Sequence, residues 1–320
     1  MRNQKRFAFV AAGVTAAALV LSACSGGAEE YPPGQVDVIV PWAAGGGSDQ
    51  ASRQLLLAAE AACDTRFVVS NRTGAAGATG HEAIAKAKPN GKTIGTLTAE
   101  ATILPHTGGI NKNIEDYTPI IRFAANLPAF VVKSDSAIET PQDLVEALNS
   151  DQTVRVGTTG KGGVWDIAAG GFEQAVGSNF DARVPYDGGA AIIQAILGDH
   201  VEVAVLSAPE AVEHVKSGDL RVIGIAAEER AQVLPDAPTL KESGIDWATG
   251  TWFGFAGPKD LSEEVVTYLE ECLTKGYEAE EYQEFLANMG FNPAFLNSAD
   301  FTKFIADENA TFEELIPNIY

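Results

Sequence analysis

The apolar positions of this chain fall into short β-branched runs separated by stretches in which they recur every three or four residues. The run at 36–40, broken only by Asp37, ends at Pro41 and a triple-glycine turn, which predicts a buried strand feeding a loop. Leu55, Leu56 and Ala59 then recur at helical spacing over 54–62, with Ser48 or Asp49 placed to cap that helix. The same grammar gives a strand at 67–69, a glycine loop at 73–80, a helix at 81–88 and a strand at 93–97. A second series opens with a strand at 129–132, then a helix at 141–148, a strand at 154–157, a glycine loop and a helix over 165–176. It continues through a strand at 183–185, a helix at 190–197 and a strand at 201–206, and leaves by a strand at 221–226. After a buried strand at 252–257, helices over 262–277, 280–289 and 299–315 complete the pattern and need a sheet to cover.

Strands alternating with helices predict an α/β protein built on mostly parallel sheets with right-handed crossovers. Two such series predict two lobes, and 320 residues at 46% hydrophobic content supply enough apolar surface for two cores.

Composition changes the picture mainly by exclusion. The formal charge is −21, and residues 1–23 carry Arg2, Lys5 and Arg6 with no acid, so the remainder is three charges more negative still. Nucleic acid is therefore excluded as a natural partner. A small anionic ligand is not, because amide donors and helix ends act at close range while distant charge is screened.

The three basic residues precede an apolar stretch over 7–21, the order of a secretory leader and short for a membrane span. The stretch ends in Leu21-Ser22-Ala23-Cys24, which resembles a bacterial lipoprotein processing box. On that pattern 1–23 is a signal peptide, Cys24 is the lipidated first residue and 24–30 is a polar tether. The protein is then expected outside the cytoplasm, anchored to the cell membrane through lipid. In an oxidising compartment Cys63 and Cys272 are either bridged or two separate buried thiols; the sequence leaves both open.

Ligands in such sheets bind beyond the strand ends, where loops and helix N-termini converge. The glycine and hydroxyl residues concentrate in six such places: 42–49, 73–80, 96–100, 157–163, 186–190 and 207–210. Bare amides followed by a helix make an anion site without arginine. The candidate ligand contacts are Trp42, Ala43, Gly46, Gly47, Ser48, Asp49, Gly77, Ala78, Thr98, Thr158, Thr159, Gly163, Tyr186, Gly188, Gly189, Ala190 and Ser207. Trp42 and Tyr186 are placed to wall the pocket, since an aromatic ring offers a large apolar face.

Enzyme and cofactor signatures are missing. The segment Gly157-Thr158-Thr159-Gly160-Lys161-Gly162 lacks the spacing of a phosphate-binding loop, and no G-x-G-x-x-G opens a helix. His81, His106, His200 and His214 show no paired metal spacing and read as surface or capping residues. No G-x-S-x-G elbow exists, and neither Ser48 nor Ser207 has a recognisable base, so a secreted hydrolase is the weaker alternative. A ligand sensor serving a signalling partner is a third reading that sequence does not separate from transport.

With its loops laid out, the chain resembles the solute-binding receptors of tripartite tricarboxylate transporters, also called the Bug family, from Tyr31 to Tyr320. The resemblance rests on Val40-Pro41-Trp42-Ala43-Ala44-Gly45-Gly46-Gly47-Ser48-Asp49, Asn71-Arg72-Thr73-Gly74-Ala75-Ala76-Gly77 and Val184-Pro185-Tyr186-Asp187-Gly188-Gly189. Leu234-Pro235-Asp236-Ala237-Pro238-Thr239 and Trp252-Phe253-Gly254 extend it. It implies a two-lobed type II periplasmic-binding-protein fold, with lobe 1 from 31–125 plus 226–320 and lobe 2 from 126–225. It also implies a small carboxylate ligand held by backbone amides, hydroxyls and waters from both lobes, and delivery to a two-component membrane permease; a monomer is the plain expectation for such receptors.

Three positions depart from the family pattern: Asp187 where lysine is common, Gly163 where Ser or Thr is common, and Glu100 where a non-acidic residue is common. Glu100 reads as an outward, solvated side chain; facing the cleft it would repel a second carboxylate and pair with a cationic group. Lys161 reads either as a positive charge offered to an anion or as a solvated loop tip.

Overall fold

Each β-branched run forms a strand because branched side chains pack well on a pleated surface, and each is followed by the turn residues that end it. A computed structural model describes Tyr31, residues 34–186 and residues 188–320. The expected leader at 1–23, Cys24 with its expected tether at 24–30, and Asp187 lie outside the described residues. The first elements are β1 (Gln35–Val40), α1 (Gly47–Ala62), β2 (Arg66–Asn71), α2 (Ala78–Ala85), β3 (Thr93–Thr98), α3 (Glu100–Thr107) and the long β4 (Tyr117–Asn126). One residue, Leu127, separates β4 from β5 (Pro128–Lys133). Then follow α4 (Pro141–Leu148), β6 (Arg155–Thr158), α5 (Val164–Val176), β7 (Ala182–Pro185), α6 (Gly189–Leu197), β8 (Val203–Ser207), α7 (Ala208–Ser217) and β9 (Leu220–Ile225). The last are β10 (Thr251–Pro258), α8 (Glu263–Glu278), α9 (Glu280–Met289), β11 (Asn292–Leu296) and α10 (Ser298–Ile319).

The strands make a six-stranded sheet in the order β11-β4-β10-β3-β1-β2 and a five-stranded sheet in the order β7-β6-β8-β5-β9. The expectation of mostly parallel sheets is corrected: four pairings are parallel and five antiparallel among the described strands. The physical reason is the passage between sheets. The chain goes out through β4 and β5 and comes back through β9 and β10, so β4 lies antiparallel to β10 and β5 antiparallel to β9. Between them, 226–250 folds back on β9, with Ile225 N–H donating to Pro238 O and Leu240 N–H to Ile225 O, both at 2.9 Å.

Four elements lack a reading in the sequence pattern: α3, β4, α7 and β11. Helix α1 is capped by Gly46, not by Ser48 or Asp49, and α2 starts at Ala78 inside the expected glycine loop. Where a strong cap exists it acts as expected. Thr140 and Asp143 form a reciprocal capping box on α4, and Ser262 and Asn297 accept amide hydrogens at the starts of α8 and α10.

Helix α10 lies over β4 and α3. Trp252 of β10 is buried, with Phe301 and Phe304 of α10 meeting it edge-on at centroid distances of 5.2 and 5.7 Å. Among the described residues no helix is long and apolar enough to cross a membrane.

Cys63, just beyond α1, is joined by a disulfide to Cys272 of α8, with Cα atoms 5.7 Å apart and 209 residues between them in sequence. The bridge staples the first helix to one formed late in the chain. Gly276 lets the same two helices approach closely, since a Cβ there would sit 2.7 Å from the Ala59 nitrogen. Closing so long a loop restricts the unfolded chain, so replacing both cysteines by serine is expected to cost about 2–5 kcal/mol. Thermal unfolding checks this: the variant melts lower than the untreated protein, and reductant brings the untreated protein down to the variant.

Candidate functional site

Two loops, one from each sheet, are built by the same local device. After β1, Gly45 takes a left-handed φ of +81°, Gly46 caps α1, and Asp49 at the third helical position accepts the Gly45 amide at 2.8 Å. After β6, Gly162 takes φ +81°, Gly163 caps α5, and Asp166, again third in the helix, accepts the Gly162 amide at 3.2 Å. Glycine is needed before each cap because other residues are strained at that φ. Each aspartate is in turn held by an arginine, Asp49 by Arg53 at 2.9 Å and Asp166 by Arg183 at 3.2 Å. Burial works to raise the Asp49 pKa, but Arg53, the Gly45 amide and Asn71 together hold it below its ordinary value.

Asn71 also donates to Trp42 O at 2.9 Å while bonding Asp49 at 2.8 Å, which ties the end of β2 to the first loop. In the second loop Tyr320 completes the frame, its hydroxyl donating to Asp166 and accepting from Gly162 N–H. The aspartates therefore act as scaffold, and Gly46, Gly47 and Ser48 at the start of α1, with Gly163, Val164 and Trp165 at the start of α5, border the space between the sheets.

That space is a cavity of about 680 Å³. All six loops picked out in the sequence reach it. Trp42, Ala43, Gly46, Gly47, Ser48 and Thr98 border it from the first sheet's side, and Thr159, Gly163, Tyr186, Gly188 and Gly189 from the second's. Gly188 and Gly189 begin α6, so three helix N-termini, those of α1, α5 and α6, border one cavity. Their partial positive ends favour an anion there.

Six of the expected residues are not part of the lining. Asp49 is consumed by its scaffold role; Gly77 lies under the Trp42 ring, and Ala78 is buried in α2. The Thr158 hydroxyl donates to Thr159 O, Ser207 Oγ donates to Asn126 Oδ1, and Ala190 follows Gly189 into the first turn of α6. Asn126, Val164, Trp165, Thr251 and Phe253 border the cavity without having been read from sequence. Trp165 had a findable signal: it holds the same place after Gly163 that Ser48 holds after Gly46.

Two expectations are corrected here. Glu100 is not outward and solvated; it is 6% exposed and borders the cavity, because α3 begins two residues after β3 and its first turn faces inward. Its carboxylate accepts the Thr98 hydroxyl at 2.5 Å, and Thr98 Oγ1 accepts from Trp42 Nε1 at 3.3 Å. Burial pushes the Glu100 pKa up. His81 is not a surface residue either: it is fully buried beneath Thr98, and burial lowers its pKa to about 4, which keeps it neutral. Lys161 borders the cavity at an exposed position, its Nζ 4.3 Å from the Tyr320 ring centroid.

A second cavity, of about 500 Å³, lies between β4, the 247–251 segment and α10. Arg122 lies there with its guanidinium 4.3 Å from the Phe304 ring centroid. Glu308 accepts from Trp252 Nε1 and, at 2.8 Å, from Thr102 Oγ1. Burial outweighs these bonds and the pull of Arg122, raising the Glu308 pKa from 4.5 to about 7.

Comparison with known proteins places this architecture. The profile of the family described as "Tripartite tricarboxylate transporter family receptor" matches residues 51–320. A Cupriavidus necator relative, "UPF0065 protein in gbd 5'region", is 28% identical over 322 residues, covering 98% of each chain. The crystal structure of a TctC solute-binding protein from Polaromonas superposes with a TM-score of 0.81 at 30% identity, covering 90% of this chain and 99% of that one. An R. palustris protein solved with adipate superposes with a TM-score of 0.76 at 22% identity, covering 91% and 98%.

Two outcomes follow from the geometry. Gly77 has φ +88°, and a Cβ on it would sit 3.1 Å from the Trp42 ring. Gly77→Ala is expected to cost about 1–2 kcal/mol from the backbone alone and to shift Trp42, read as a lower melting temperature with altered tryptophan fluorescence. For Glu308 the folded pKa lies above the unfolded one, so its stabilising contribution is complete below pH 4.5 and is lost as the pH rises through about 7. Glu308→Gln should remove that loss, gaining about 1–2 kcal/mol over wild type at pH 8 relative to pH 5 once solvent screening at this partly open side chain is allowed for. Melting temperature against pH for both proteins checks it.

Proposed function

The chain belongs to the tripartite tricarboxylate transporter family of receptors, and from that premise we propose that it captures a small carboxylate-bearing metabolite between two lobes. Lobe 1 comprises 31–125 plus 226–320, and lobe 2 comprises 126–225. The observation that carries this reading is the convergence of the α1, α5 and α6 N-termini, drawn from both sheets, on one cavity. Free amides at three helix ends bind a carboxylate without a paired arginine. The adipate held by the R. palustris neighbour supports a carboxylate ligand.

Binding here involves no covalent chemistry. The ligand contacts proposed are Trp42, Ala43, Gly46, Gly47, Ser48 and Thr98 on one side, with Thr159, Gly163, Tyr186, Gly188 and Gly189 on the other. Because the contacts come from both lobes, the ligand favours the closed arrangement over the open one, and that difference in affinity drives closure. The closed form is then presented to a two-component membrane permease. The leader at 1–23 exports the chain and lipid on Cys24 holds it at the outer face of the cell membrane.

The test is a thermal-shift panel on refolded protein, which removes any ligand carried through purification. A carboxylate present at about 100 times its dissociation constant adds about 2.7 kcal/mol of stability, and its amide adds none. Small-angle scattering with the same ligand should show compaction. A shift from amides as large as from acids, or no compaction with a tight ligand, sinks the carboxylate clamp.

A further inference from the structure

The lining of the main cavity carries an unusual balance of charge for an anion receptor. Glu100 and Glu210 border it, and Lys161 is the one cationic residue among those lining it. Lys161 leans onto the Tyr320 ring. Glu100 meets no cation among the described residues; its partners are the Thr98 hydroxyl and its own backbone amide.

A carboxylate so enclosed, with no counter-ion beside it, makes the surrounding space favourable for a positive group. The side chains beside it agree with that sign. Trp42 donates its indole N–H to Thr98, and Phe253 and Tyr186 border the same space; aromatic faces attract cations. The anion-favouring groups, the amides at the starts of α1, α5 and α6, belong to other loops than Glu100. The cavity thus presents both signs, on different loops.

We infer that the ligand carries a positively charged nitrogen as well as a carboxylate, and that Glu100 selects it by pairing with that nitrogen while amides at the helix N-termini hold the carboxylate. This deepens the carboxylate-receptor reading and rests on it. A dicarboxylate would place its second negative charge against Glu100 unless Glu100 took up a proton and donated a hydrogen bond, in which case diacids would be preferred.

Those two cases are separated by matched ligands. Calorimetric titration of the refolded full chain uses succinate, glutarate and adipate against γ-aminobutyrate, δ-aminovalerate and ε-aminocaproate, together with the L-α-amino acids and simple monocarboxylates. At least one amino acid should bind about tenfold or more tightly than any diacid, and Glu100→Gln should weaken it by at least about tenfold while moving the monocarboxylates little. A diacid preference in the wild type, or an amino-acid preference untouched by Glu100→Gln in a variant that melts normally, overturns the inference and leaves the carboxylate receptor standing. Should Glu100→Gln fail to fold, the wild-type ratio of amino acid to diacid decides alone. Binding by none of the carboxylates, charged nitrogen or not, overturns both readings.

Discussion

The site depends on one repeated constraint, an aspartate at the third position of a helix that accepts the amide of the left-handed glycine before the cap. In α1 and again in α5 this bond closes the loop over the helix start. Without it the Gly45 and Gly162 amides would lose the acceptor that fixes each loop against its helix start. With it, the remaining donors stay available to something outside the chain. The arginines behind the aspartates hold the carboxylates in place, so two acidic residues end up serving an anion-favouring site by standing behind it.

Much of this was legible from sequence because it is local. A β-branched run ending in glycines, with an aspartate a few residues on, specifies strand, loop and helix start within ten or so positions. The six loops were legible for the same reason. The side chains were less so. Whether Asp49 points at a ligand or at Gly45, and whether Glu100 points in or out, is a matter of helix phase at the first turn, and α3 gave no phase to read. Its cap is Ala99 and it contains Pro105, so it carries neither a start signal nor a clean interior.

The strands that were missed share a cause. Helix-and-strand alternation describes segments that shuttle across one sheet, whereas β4 and β11 belong to passages between or around sheets. In β4 Pro119 and Arg122 break the apolar run, and in β11 Pro293 does so. Helix α7 does carry a signal, Ser207 followed by Pro209 and Glu210, which is a standard start, and it overlaps the 207–210 segment that reads as a ligand loop. The Cys63–Cys272 pairing is of a different kind, since 209 residues separate the partners and only the packing of α1 on α8 brings them together.

The position of β10 sets the order in which a chain emerging from its N-terminus can become structured. The five-stranded sheet is drawn from one continuous stretch, β5 to β9, and can pair as soon as that stretch is available. The six-stranded sheet has β10 in its interior, between β4 and β3, so its early strands stay divided into two unpaired groups until residues 251–258 arrive. The half of the protein that begins first is therefore completed last. Until β10 arrives, β3 and β4 each carry an open edge while the later sheet forms beyond them, and an open edge is where a strand accepts the wrong neighbour.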